Sequence, residues 1–171
     1  MKLRYSIALS LPLVGSSAMA AELALKLEVP QLNVAEYHRP YVAVWLETPQ
    51  QKMVTSLAVL YDTKKKDNGG TKWLKDVRQW WRKGGRDTAM PMDGISGATR
   101  APGEVTLTFP GAKAELDKLP AGDYQMVVEA ARESGGRELV RLPFQWPPKS
   151  ASSVAGHGKE ELGALAVQLK P

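Results

Sequence analysis

The sequence predicts an all-β protein: an immunoglobulin-like β-sandwich of about seven strands with one inserted short α-helix and a long loop. Three observations carry that expectation. Short apolar runs with period-two alternation recur along the chain. Clusters of Gly, Pro, Asn and Asp separate them, and a single stretch shows apolar residues at helical spacing.

In chain order, Leu23, Leu25, Leu27 and Val29 alternate with polar or small residues and stop at Pro30, which gives the first strand. Tyr41 to Glu47 is a second strand, rich in β-formers, and Leu57 to Tyr61 a third. A turn from Lys64 to Gly70 follows. Trp73, Val77, Trp80 and Trp81 then fall at i, i+4, i+7 and i+8, with Lys75, Arg78, Gln79 and Arg82 between them, the pattern of a helix that Gly84-Gly85 ends. Arg86 to Gly103 has little periodicity and reads as a long loop, a class of segment that is usually functional.

Val105, Leu107 and Phe109 resume the β pattern. The turn Pro120-Ala121-Gly122-Asp123 leads into Tyr124, Met126, Val128 and Ala130, and Ser134-Gly135-Gly136 is a hairpin turn into a strand from Glu138 to Trp146. Pro147 to Gly158 reads as a flexible connector. The last strand uses either Leu162, Ala164, Ala166 and Gln168 or the opposite set Leu165, Val167 and Leu169 as its inner face. No internal repeat is visible.

The first twenty residues set the expected compartment. Lys2 and Arg4 form a positive n-region, Tyr5 to Val14 an apolar h-region too short for a membrane span, and Ala18-Met19-Ala20 an A-x-A cleavage site. Residues 1–20 are therefore expected to be a signal peptide and 21–171 a single exported, soluble periplasmic domain. Cleavage lowers the formal net charge from +5 to +3, because Lys2 and Arg4 leave and no acid does. That balance, without a long Lys/Arg run, argues against nucleic acid as a partner.

Cysteine is absent, which excludes disulfides, thiolate metal sites, iron–sulfur clusters and c-type haem attachment. A redox role needs another cofactor. The histidines, His38 and His157, form no helical metal-binding pair and read as surface or loop residues. No nucleophile–His pairing, metal cluster or paired-carboxylate motif supports an enzyme.

The segment from Asp93 to Arg100, Asp-Gly-Ile-Ser-Gly-Ala-Thr-Arg, is the most informative in the chain. Gly97 and Ala98 leave the backbone bare beside Thr99, so another protein's active site can close over its hydroxyl, and glycine can supply a positive-φ turn. Asp93 and the Ser96 hydroxyl are placed to orient the loop or the threonine proton. Read without any further context, the same residues are an exposed loop: Asp93-Gly94 and Ser96-Gly97 are successive turn signals bracketed by Pro91 and Pro102.

This stretch resembles the pattern Asp-x-x-Ser/Thr-Gly-Ala-Thr, at which periplasmic flavin transferases esterify the phosphate of FMN onto a threonine. The resemblance implies covalent FMN on Thr99, with Asp93, Ser96, Gly97 and Ala98 completing the acceptor site. The chain from the end of the signal peptide onward also resembles a periplasmic family, domain of unknown function 2271, through Tyr41 to Glu47, Lys72-Trp73-Leu74, Trp80-Trp81-Arg82, Asp93 to Pro102, Pro120 to Tyr124, Val128 to Glu133 and Gly136 to Val140. That resemblance implies a setting among membrane-bound PepSY-type or flavocytochrome-like reductases and flavin transferases. The expected role is a periplasmic electron carrier, not an enzyme, serving a membrane reductase or iron reduction. Better-known domains with this motif are α/β or membrane-tethered, so their flavin-pocket residues do not map onto this chain.

A tethered isoalloxazine needs an aromatic or apolar platform. Trp73, Trp80 and Trp81 lie just upstream of the loop, and two readings stay open: Trp73, Val77 and Trp81 cover the sandwich, or one indole, Trp81 foremost, stacks on the ring. Arg100, next to the acceptor, is placed to neutralise the phosphodiester, whereas Arg78 and Lys83 read as a solvated basic face. The rival function is a cofactor-free binding module whose Arg and Trp surface docks on a membrane partner.

Overall fold

The alternation Leu23, Leu25, Leu27, Val29 becomes β1 (Glu22–Val29), with these four side chains buried and the intervening ones more exposed. A computed structural model describes residues 21–171, and the signal peptide expected over 1–20 lies outside the described residues. β2 (Tyr41–Glu47) and β3 (Met53–Tyr61) form a hairpin, followed by β4 (Ser96–Ala98), β5 (Gly103–Thr108), β6 (Gly122–Ala131), β7 (Arg137–Trp146), β8 (Ser152–His157) and β9 (Ala164–Lys170).

The strands make two sheets, one in the order β5-β1-β9-β8 and the other β4-β3-β2-β6-β7. All pairings are antiparallel except β3 with β4. The all-β sandwich expectation holds, with nine strands among the described residues instead of about seven. The two additions are β4, inside the expected loop, and β8, inside the expected connector. Both are poor in the large β-formers that mark a strand in sequence, and their pairing comes from the neighbouring strands β3 and β9.

The sheets pack over Leu25, Leu27, Val44, Leu46, Leu60, Met126, Val128 and Leu142, with Leu165, Val167 and Leu169 as the inward set of β9. Strands β2 and β6 do not alternate in burial, because the outer face of their sheet is covered too. Ala43, Trp45, Val59, Tyr61 and Val127 meet Leu74, Val77 and Trp80 of the segment that wraps that face.

The wrapping segment is not the single helix that the Trp73 to Trp81 spacing predicts. A kinked 3-10 segment, Lys66–Asp76, is followed by a short α1 (Arg78–Lys83), and the two are separated at Val77, whose φ −78°, ψ 74° is not helical. A buried carboxylate from the sheet helps fix this break. Glu129 on β6 accepts hydrogen bonds from the backbone N–H of Gln79 at 3.0 Å and of Trp80 at 3.0 Å, filling the place of a capping side chain. Trp80 is the fully buried indole, with its Nε1 donating to Ser56 Oγ at 2.9 Å, while Trp73 is 37% exposed and Trp81 half-buried. The covering set is therefore Leu74, Val77 and Trp80, not Trp73, Val77 and Trp81. Gly85 is required beneath it, since a Cβ there would stand 2.5 Å from the Trp80 ring.

Candidate functional site

The acceptor-like motif is an edge strand. Ser96, Gly97 and Ala98 pair in parallel with Val59, Leu60 and Tyr61. The Val59 N–H donates to the Ile95 carbonyl at 2.9 Å, and the Thr99 N–H to the Tyr61 carbonyl at 3.1 Å, which continues the ladder one residue beyond β4. The sequence left this segment as an unpaired loop because it is too short to show periodicity.

The turn before the strand explains two of the motif residues. Met92 N donates to Ser96 Oγ at 2.8 Å, and Ser96 N donates back to the Met92 carbonyl at 2.9 Å, so the Ser96 hydroxyl locks the entry into β4. Asp93 and Gly94 form the tip, with Gly94 at φ 64° supplying the left-handed step. Gly97 serves differently from the positive-φ turn that glycine could have provided: a Cβ there would stand 3.0 Å from Leu60 Cδ2, so its bareness lets β4 close against β3. Asp93 and Arg100 are exposed on either side, and Thr99 is half-buried.

Thr99 opens onto a cleft of about 300 Å³ at the end of the second sheet where β2 begins and β3, β4 and β6 end. That volume lies at the lower end of small-molecule sites. Tyr37 and His38 of the β1–β2 connection, Tyr41 of β2 and Trp73 of the 3-10 segment supply its aromatic groups. Its charges are mixed: Arg39 and Lys65 against Asp62, Asp76 and Glu133. The Lys65 and Lys75 ammonium groups lie 5.8 and 5.9 Å from the centre of the Trp73 ring.

The polar tips of the cleft are unequal. Tyr41 Oη donates to the Gly70 carbonyl at 3.1 Å, whereas Tyr37 Oη is buried and has no hydrogen-bond partner among the described residues. Burial raises both phenols above the usual tyrosine value, so each keeps its proton and remains a donor. His38 sits 3.2 Å from Glu36 and 3.9 Å from Glu133.

Of the residues singled out in sequence, Asp93, Ser96, Gly97, Ala98, Thr99 and Arg100 lie together. Trp81 lies elsewhere: its ring packs 6.4 Å from Trp80, and it borders a separate shallow depression with Leu74, Thr88 and Met90. Arg78 is exposed as expected, but Lys83 is not part of a solvated face, because its Nζ pairs with the buried Glu47 at 2.8 Å. Glu47 also accepts from Trp45 Nε1 at 2.9 Å and Arg141 Nε at 3.1 Å. Sequence reasoning missed Tyr37 and Tyr41. Four distant segments form the cleft, and the one sequence clue was an indole, Trp73, on a helical stretch with more tryptophans than one face can bury.

Among the described residues no group of three or more His, Asp or Glu is placed to hold a metal, and no helix is long and apolar enough to cross a membrane. A family model described as "Predicted periplasmic protein", domain of unknown function 2271, matches residues 22–164. No curated protein and no solved structure matches the chain.

Proposed function

The chain belongs to that family of predicted periplasmic proteins, and we propose that within it this protein is a covalent flavin carrier, with FMN attached through its phosphate to Thr99. The observation that carries the reading is the position of Thr99: it follows an edge strand whose backbone is fixed to β3, and it faces a cleft lined by three large aromatic side chains. An acceptor of this kind needs an ordered backbone and an accessible hydroxyl, and the motif supplies both. Gly97 and Ala98 keep bulk away from Thr99, and Ser96 fixes the turn.

Attachment is a phosphoryl transfer made by a separate periplasmic flavin transferase. A bond forms between Thr99 Oγ1 and the phosphorus of a flavin dinucleotide, the threonine loses its proton, and the other nucleotide departs as the leaving group. The chain supplies no catalysis to this step. When bound, the isoalloxazine supplies reversible electron uptake. The protein's own residues position it: Arg100 lies next in the chain to offset the phosphodiester charge, and the sheet holds the anchor. The protein then acts as an electron carrier, not a stand-alone enzyme, between a membrane PepSY-type or flavocytochrome-like reductase and an acceptor such as ferric iron.

The test is the intact mass of the exported protein made with and without a co-expressed flavin transferase. The expected result is a gain equal to FMN less one water on the Thr99 peptide, absent in Thr99→Ala. No gain, with the transferase active on a control substrate, overturns the reading.

One observation favours a second reading, a cofactor-free module that docks on a membrane partner. Residues 64–86, which wrap the outer face of the second sheet, carry nine lysines and arginines against two aspartates. Capture of a membrane reductase by flavin-free protein, lost as salt is raised, is the outcome that this reading requires.

A further inference from the structure

We infer that the cleft between Tyr37, Tyr41 and Trp73 is the seat of the isoalloxazine ring, with Trp73 as its stacking platform; this rests on the reading that Thr99 carries FMN. Four observations converge on it. The cleft begins at the anchoring residue itself, so a ring tethered at Thr99 has it as the adjoining concave surface.

Trp73 is a large aromatic residue left 37% exposed, whereas Leu74, Val77 and Trp80 of the same wrapping segment are fully buried. Its indole is held among cations, with Lys65 and Lys75 on the ring. An exposed tryptophan beside an attachment point is spare stacking surface, unlike Trp80, whose indole is consumed by the core.

The charge of the cleft decides which part of FMN fits. Arg39 and Lys65 are offset by Asp62, Asp76 and Glu133, so the interior is not an anion trap. The phosphodiester therefore stays at the rim by Thr99, and the neutral, planar ring enters. Tyr37 Oη, buried without a partner among the described residues, offers such a ring a hydrogen bond at a carbonyl or ring nitrogen. Trp81 borders a different depression and lies outside this seat.

The experiment uses full-length protein exported alongside an active flavin transferase, with modification first confirmed by intact mass. Flavin emission is then compared among wild type, Trp73→Ala, Trp73→Phe and Trp81→Ala, because a stacked indole quenches a flavin. The expected result is weak emission in wild type, a several-fold rise in Trp73→Ala with an unchanged mass gain, partial recovery of quenching in Trp73→Phe, and wild-type emission in Trp81→Ala. Emission in Trp73→Ala equal to wild type, or a rise in Trp81→Ala alone, overturns the assignment. Full modification with bright wild-type emission overturns the ring seat but leaves the attachment site standing. Absence of any mass gain overturns both.

Discussion

The backbone N–H of Thr99 donates to the carbonyl of Tyr61 at 3.1 Å, and the Tyr61 ring in turn meets Tyr41 edge-on at 6.3 Å between centroids. The threonine is thus tied to the strand whose last side chain supports the cleft wall. A tether fixed in this way limits where a group on its hydroxyl can go.

Enlarging Gly97 should undo that arrangement. A Cβ there already stands 3.0 Å from Leu60 Cδ2, so Gly97→Val crowds β4 off β3. The expected cost is about 1–3 kcal/mol, typical of overpacking, read as a lower urea midpoint. Gly97→Ala should cost less, because Leu60 can shift its terminal methyl. Equal midpoints for wild type and Gly97→Val would show that β4 does not need close contact with β3.

Trp80→Ala should destabilise strongly, by about 3–5 kcal/mol as for other buried aromatics. It removes a fully buried indole and strands the Ser56 hydroxyl that accepts from Nε1. Trp81→Ala, at a half-buried site, should cost clearly less. Urea unfolding of the two variants decides this, and a reversed order would contradict the packing of the wrapping segment.

Acid should weaken the fold through two glutamates. Burial pushes the Glu47 carboxyl upward, but hydrogen bonds from Lys83, Trp45 and Arg141 outweigh it and hold Glu47 below the ordinary 4.5. Glu138 is likewise raised by burial and lowered more by the backbone N–H groups of Lys159, Glu160, Glu161 and Leu162. With a lowered folded pKa, the unfolded state binds more protons just below 4.5. The stability is therefore complete above that pH and is lost as pH falls through the folded value. Melting temperatures measured down the acid limb should show the gap between wild type and Glu138→Gln narrowing as pH drops, and a constant gap would refute the linkage.

Tyr37→Phe should leave stability unchanged or raise it by up to about 1 kcal/mol, since it removes a buried hydroxyl with no partner among the described residues. Tyr41→Phe should lower it, because Tyr41 Oη donates to the Gly70 carbonyl. Thermal melts of the unmodified protein separate the two. A loss in Tyr37→Phe as large as that in Tyr41→Phe would mean that its hydroxyl is satisfied.

By itself the sequence determined the sandwich, the seven strands with visible alternation or β-rich composition, and the acceptor-like motif, because these are written in residues close together in the chain. Leu25 and Leu27 of β1 are inward as their spacing predicts, and Leu165 and Val167 of β9 follow one of the two registers that it allowed. Tertiary structure decided what depends on distant partners. Ser96 to Ala98 are a strand because β3 offers an edge, not because of their own propensity. The helix predicted from Trp73 to Trp81 breaks at Val77, where a carboxylate from β6, Glu129, takes the N–H groups of Gln79 and Trp80. That break selects Trp80 for the core and leaves Trp73 beside Thr99. The three tryptophans look alike in a helical pattern, and their different environments arise from contacts that no local spacing encodes.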